Sequence, residues 1–231
     1  MFSPIRGYVW APDDATPDVR NRLKFLNVVG YKACGLALLP KKWTPPFLVV
    51  SAELYGNWFA ASRDQREKLL HAAVKDVEFC LSGWIESWPH GLALRSSATS
   101  ETLRDRGAYQ SIQLTADYSP ARICRAITDI YESFAELERE GQIAIVVQAN
   151  VHNTARGHLS NERRVSKTVN QWMWENEPSN GEGRFNSQRS MSPPQDQRLV
   201  LKPGNQSAQT SLFQQVGRWC TSLKLGPAHL E

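Results

Sequence analysis

Residues 93–101 read ALRSSATSE, and this stretch governs our interpretation of the rest of the chain. A short apolar run leads into Arg95 and is followed by several hydroxyl side chains. A β-strand that ends here would hold the Arg95 guanidinium so that its fork meets phosphate oxygens. Ser96, Ser97 and Thr99 supply further hydrogen-bond donors. The stretch therefore predicts an anion-binding turn at a sheet.

Three other stretches carry similar features: VGYKACGL (29–36), DRGAYQS (105–111) and VVQANV (146–151). In the first, Gly30 allows the backbone to come close to a ligand, and Lys32 adds a point charge where a helix begins. In the second, Gly107 gives the loop the freedom to fold over a bound anion. Together they extend the predicted anion site beyond Arg95.

Each feature also has a common structural explanation. A single lysine in the first turn of a helix is more often a solvated surface charge. An Arg-Ser-Ser sequence after a strand is more often an ordinary turn, and a glutamine in a β run usually points to solvent. These explanations stay open, so the prediction depends on the combination of stretches and on their order.

Hydrophobic periodicity predicts an α+β fold in which helices mix with a largely antiparallel sheet. Helices are predicted within residues 28–39 and over 52–60, 63–88, about 120–140 and 207–223. Strands are predicted within 43–51 and over 92–95, 109–115, 143–151 and 198–201. Residues 177–194 have no apolar periodicity, which indicates a loop or linker. We therefore expect a main body at 1–175, a flexible linker at 176–197 and a strand–helix unit of the same domain at 198–231.

Composition and motifs exclude several classes of protein. Neither G-x-x-x-x-G-K-[ST] nor G-x-G-x-x-G is present, and zinc-like Cys/His spacings and a G-x-S-x-G elbow are also absent. The four cysteines are scattered, which predicts reduced, structural residues. No apolar run reaches eighteen residues, and the first thirty residues do not form a signal core. We expect no membrane association and a cytoplasmic location.

Taken in order, these stretches resemble the N-terminal ATP-binding domain of the pyruvate phosphate dikinase and phosphoenolpyruvate synthase family. The most specific match is LRSSATSE (94–101), which is close to the family's Val-Arg-Ser-Ser-Ala-Thr-x-Glu. Residues 30–33 resemble its Gly-Gly-Lys-Gly/Ala start. The segment PPFLVVS (45–51) resembles its proline-framed strand, and IVVQANV (145–151) resembles its V-x-V-Q-x-M-V strand.

This resemblance implies an ATP-grasp-like, two-lobed nucleotide-binding domain. Lys32 and Arg95 would contact the ATP phosphates and act in catalysis, and Gln148 would join Ser96, Ser97, Thr99 and Gly107 in binding the cofactor. The implied reaction is a Mg²⁺-dependent phosphotransfer from ATP to a carrier histidine. That histidine would lie on a phosphohistidine-domain protein or on further C-terminal domains.

The end of the chain departs from the family pattern. Residues 228–231 (AHLE) resemble the opening of its Asp-x-Glu strand, with His229 in place of the aspartate and Glu231 at the metal-binding glutamate. We therefore expect an incomplete magnesium site and an isolated chain without kinase activity.

Two other functions stay open. One is a non-catalytic nucleotide-binding or partner-binding module derived from the same family. The other is a basic nucleic-acid-binding module that uses a cluster of cations and tryptophans: Arg156, Arg163, Arg164, Lys167, Trp172 and Trp174. The net charge of +4 is mild and spread along the chain, so nucleic acid is the least favoured partner.

Overall fold

The computed structural model describes these residues: 2–13, 19–83, 90–100, 109–115, 118–137, 141–150, 156–160, 173–177, 198–200, 215–216, 218–220, 222–223 and 229–230. The chain divides into two compact units, Met1–His152 and Asn153–Glu231. The domain boundaries expected from composition, at 175 and 197, stay predictions.

The first unit is built on a six-stranded sheet in the order β1-β2-β3-β6-β4-β5, and every neighbouring pair is antiparallel. Its strands are β1 (Phe2–Arg6), β2 (Val9–Pro12), β3 (Phe47–Val50), β4 (Leu92–Ala98), β5 (Ser111–Leu114) and β6 (Ile143–Ala149). Helices flank this sheet, so the α+β class is confirmed.

The described residues of this unit include four α-helices: α1 (Val19–Leu36), α2 (Ala52–Ala60), α3 (Arg63–Leu81) and α4 (Pro120–Glu136). A reciprocal capping box between Ser62 and Gln65 starts α3. Pro120 stands in the first turn of α4, a position that suits proline. Ile123, Ile127, Ile130 and Phe134 of α4 are buried, whereas Leu137 lies just beyond the helix and is 39% exposed.

The sequence did not predict the β1–β2 hairpin. Proline weakens a strand pattern, and Pro4 and Pro12 fall in these two strands. Proline is tolerated here because β1 is an edge strand and Pro12 ends β2. An ion pair of 2.6 Å between Arg6 and Asp76 links the hairpin to α3.

The sheet has two differently covered faces, which we call the outer and inner faces. The outer face packs on α2, α3 and α4 and includes Leu48, Leu94 and Ile145. The inner face packs on α1 and includes Phe47 and Val146. Successive residues of β3 and β6 alternate between the two clusters, as a pleated strand requires.

The second unit contains a four-stranded antiparallel sheet in the order β10-β7-β8-β9. Its strands are β7 (Arg156–Ser160), β8 (Met173–Glu177), β9 (Arg198–Val200) and β10 (His229–Leu230). Residues 215–216, 218–220 and 222 are helical within the predicted helix 207–223. No helix among the residues described in either unit is long and apolar enough to cross a membrane.

Candidate functional site

Helix α1 changes direction at Gly30, where φ is 74° and ψ is 175°. A side chain at this position would place its Cβ 2.0 Å from the Ser97 carbonyl oxygen in β4. Only glycine combines this backbone conformation with so close an approach. The sequence predicted that Gly30 brings the backbone close to a ligand; in the structure, the backbone that it approaches is that of β4.

Ser97 joins the two sides of this kink. Its hydroxyl donates a hydrogen bond to the Val29 carbonyl at 2.8 Å and accepts one from the Ala33 N–H at 3.1 Å. Ser97 itself is fully buried. We call Val29, Gly30, Ala33 and Ser97 the clasp. Because the Ser97 proton is given to Val29, a contact between Ser97 and phosphate would have to replace a bond within the clasp.

Lys32 lies within the clasp segment of α1 and contacts β4 next to Arg95. The Lys32 ammonium donates a hydrogen bond of 2.8 Å to the carbonyl of Ser96, the residue that follows Arg95. Arg95 alternates with Leu94, which packs in the outer core. Arg95 is therefore on the inner face, as Ser97 is. The Lys32 ammonium thus contacts the backbone of β4 one residue from Arg95, although the two residues are 63 positions apart in the sequence.

The electrostatics of this region favour an anion. None of the elements α1, β4, β5 and β6 contains an aspartate or a glutamate, and α1 also carries Lys24. Glu101 and Asp105, which follow β4 in the sequence, lie outside the described residues. Several positive charges on adjoining elements attract negatively charged ligands.

Polar residues continue across the inner face from Arg95. Gln148 in β6 is 6% exposed and lies opposite Ala93, and Gln113 in β5 lies opposite Ala93 on the other side. Ser111 pairs with Arg95 in the next row. Sequence reasoning missed Gln113 and Ser111 as site residues, although their alternation with Ile112 and Leu114 signals that they share a face.

Ser96 and Thr99 take other positions. The Ser96 hydroxyl is buried on the outer side of β4 and has no hydrogen-bond partner among the residues that the structure describes. Only its carbonyl, which accepts from Lys32, belongs to the site. The Thr99 hydroxyl donates to the Gln142 carbonyl and accepts from the Gln142 N–H, at 3.1 and 3.0 Å. Four residues of strand put Thr99 about 13 Å from Arg95.

Gly107 and Glu231, the predicted loop glycine and metal ligand, lie outside the described residues. Among the residues that the structure describes, no group of three His, Cys, Asp or Glu side chains is placed to hold a metal ion. These residues do not fit a magnesium site, and we derive no chemical step through magnesium.

The cysteines do not suggest nucleophilic chemistry. All four lie within the described residues, and none of them forms a disulfide bond there. Burial raises the pKa of the Cys80 and Cys124 thiols above the usual value, and it raises the pKa of Cys220 to about 11. A raised pKa leaves little of the reactive thiolate at neutral pH.

The residues of the nucleic-acid alternative belong to the second unit. Arg156 begins β7 and pairs with Glu177, and Trp174 in β8 pairs with Leu159. The other four, Arg163, Arg164, Lys167 and Trp172, lie outside the described residues.

Comparison with protein families and with curated proteins adds no relative. No family model matches the chain, and no curated protein matches it either. The candidate site is therefore supported by its own geometry and by the motif resemblance described above.

Proposed function

We propose that the first unit binds the phosphates of ATP at the inner face of its sheet, between Lys32 and Arg95. The chain would act as the ATP-binding domain of a dikinase-type phosphotransferase, with an ATP-grasp-like fold. The observation that supports the proposal is the 2.8 Å hydrogen bond from the Lys32 ammonium to the carbonyl of Ser96, the residue that follows Arg95.

The two cations have different chemical roles in this proposal. The planar guanidinium of Arg95 binds phosphate oxygens in a bidentate manner, and the ammonium of Lys32 contributes a compact charge. Both offset the negative charge that spreads over a phosphoryl group as it is transferred. The acceptor is a carrier histidine on another domain or chain, and the Mg²⁺ requirement rests on the family resemblance.

Equilibrium titration of the chain with a fluorescent ATP analogue tests the proposal. We expect Arg95→Ala to weaken binding by about 10- to 100-fold, which corresponds to the loss of a charge-assisted hydrogen bond. Arg125→Ala is the matched control, because Arg125 lies on α4 at the outer face and its side chain is 84% exposed. The proposal fails if the native chain does not bind the analogue, or if the Arg95 and Arg125 variants bind it equally.

A second candidate is a module that holds ATP without transferring its phosphate. It is favoured by the composition of α1, β4, β5 and β6, which offer cations to the phosphates and no carboxylate to a metal. Titrations with and without EDTA separate the two. Binding that is unchanged by EDTA, with no transfer to a phosphohistidine-domain protein, supports the module.

A further inference from the structure

The clasp lies where the two elements that carry the cations cross. Its anchors on α1 are Val29 and Ala33, and Lys32 lies between them, one residue before Ala33. On β4, Ser97 is two residues beyond Arg95 and on the same face. One buried hydroxyl is thus bonded on both sides of the backbone segment that presents Lys32, and it shares a strand with Arg95.

This arrangement leaves little freedom between α1 and β4. The Ser97 hydroxyl uses both its donor and an acceptor within the clasp, at 2.8 and 3.1 Å. The contact between Gly30 and the Ser97 carbonyl has no room for even a methyl group. Lys32 also bonds to the Ser96 carbonyl, so its ammonium is held against the backbone of β4 one residue from Arg95.

The attachment of the segment that carries Lys32 to the strand that carries Arg95 has a consequence for ligand choice. A polyphosphate long enough to contact both Lys32 and Arg95 gains binding free energy from both cations, whereas a monophosphate contacts one of them. The gain is larger when the cations are already in place, because no conformational freedom is then lost on binding. A site of this kind distinguishes ligands by the number of their phosphates.

We propose that Ser97 is a positioning residue that holds Lys32 and Arg95 at the spacing that selects a nucleoside triphosphate over a monophosphate. Ser97 acts through the two cations and does not itself contact the phosphates. This inference rests on the proposed function, and it assigns to Ser97 a different role from the direct phosphate contact that the sequence suggested.

Calorimetric titration with ATP, ADP and AMP tests the inference through the ratio of the ATP and AMP affinities. Ser97→Ala should lower that ratio by about 10-fold, because without the Ser97 hydroxyl the segment that carries Lys32 is no longer held against β4. Ser51→Ala is the matched control, since the Ser51 hydroxyl is also buried and has no partner among the described residues, and Ser51 is not part of the site. We expect Ser51→Ala to keep the native ratio, and we expect Ser97→Thr, which retains the hydroxyl, to keep it as well.

A double-mutant cycle gives a second measurement that does not depend on how well Ser97→Ala folds. In the native background, Lys32→Met and Arg95→Ala should be strongly non-additive for ATP and additive for AMP. Additive effects on ATP, or equal losses of ATP and AMP affinity in Ser97→Ala, overturn the inference while leaving ATP binding intact. A native chain that binds none of the three nucleotides overturns the proposed function instead, and this inference with it.

Discussion

The outer and inner faces of the six-stranded sheet are built from the same strands but are held in different ways. The outer face contacts three helices through a large apolar cluster, in which Leu94 and Ile145 are fully buried. The inner face contacts α1 through a smaller apolar cluster and through the clasp. Apolar burial is non-directional, whereas the clasp depends on individual hydrogen bonds and one close approach. The comparison indicates that the outer face supplies most of the stability and the inner face supplies precise placement.

The largest effect is expected from a cavity in the outer face. Leu94→Ala should lower the free energy of unfolding by about 2–5 kcal/mol, because it removes a fully buried side chain from the cluster. Arg95→Ala, one residue along the same strand, is the control and should change stability far less. Urea denaturation of both variants measures the difference. Equal losses for the two would contradict the division of roles between the faces.

A substitution at the kink in α1 should lower the stability of the chain nearly as much. Gly30→Ala should lower the free energy of unfolding by about 3 kcal/mol, because the new methyl group would clash with the Ser97 carbonyl and because residue 30 has a positive φ. Gly35, five residues later in α1, provides the control, because a methyl group added there would meet no other atom within 4 Å. Gly35→Ala should be neutral or stabilising by about 0.5 kcal/mol. Thermal unfolding that ranks these two variants the other way would rule out the close approach at Gly30.

The two serines of β4 should respond with opposite signs. Ser97→Ala leaves the Ala33 N–H without its partner, so we expect a loss of about 1–3 kcal/mol. Ser96→Ala removes a buried hydroxyl that has no partner, so we expect a gain of up to about 1 kcal/mol. Chemical denaturation of the two purified variants checks both signs. A loss of stability in Ser96→Ala would show that this hydroxyl is hydrogen-bonded in solution.

Tyr131 should give the smallest effect near neutral pH and a distinctive one in alkali. Burial raises the pKa of Tyr131 above its ordinary value of 10.0, and its hydroxyl has no partner. The folded chain therefore keeps this proton above pH 10 while the unfolded chain loses it. The stability that the raised pKa of Tyr131 provides is therefore complete below pH 10. Above pH 10 the free energy of unfolding falls by about 1.4 kcal/mol per pH unit.

Tyr131→Phe should consequently raise the free energy of unfolding by up to about 1 kcal/mol at pH 7. Between about pH 10 and pH 11 this variant should lose less stability than the native chain. Unfolding measured across this pH range tests both parts. Ser96→Ala serves as the control, because it removes an unpartnered hydroxyl from the same face without removing a group that titrates there. If the free energy of unfolding of Tyr131→Phe falls with pH above pH 10 as steeply as that of the native chain, another group is responsible for the pH dependence.

Several elements of the fold were accessible from sequence because they depend on local patterns. The stripe of Ile123, Ile127 and Ile130 predicted α4, and the β-branched run after Gly141 predicted β6. The site was accessible in part, since Lys32 and Arg95 were named from their motifs. Gln113 and Ser111 were missed because their importance depends on which strand lies next to Arg95, and strand order is not a local property.

The sequence by itself determined the α+β class, the main helices and strands of the first unit, and the residue types that an anion site requires. Only the tertiary structure decided that the Ser96 and Ser97 hydroxyls lie on opposite faces of β4, and that Gly30 approaches that strand. The reason is physical: periodicity along a chain records which positions are apolar, whereas a contact between residues 30 and 97 depends on how α1 packs against a strand more than sixty residues away.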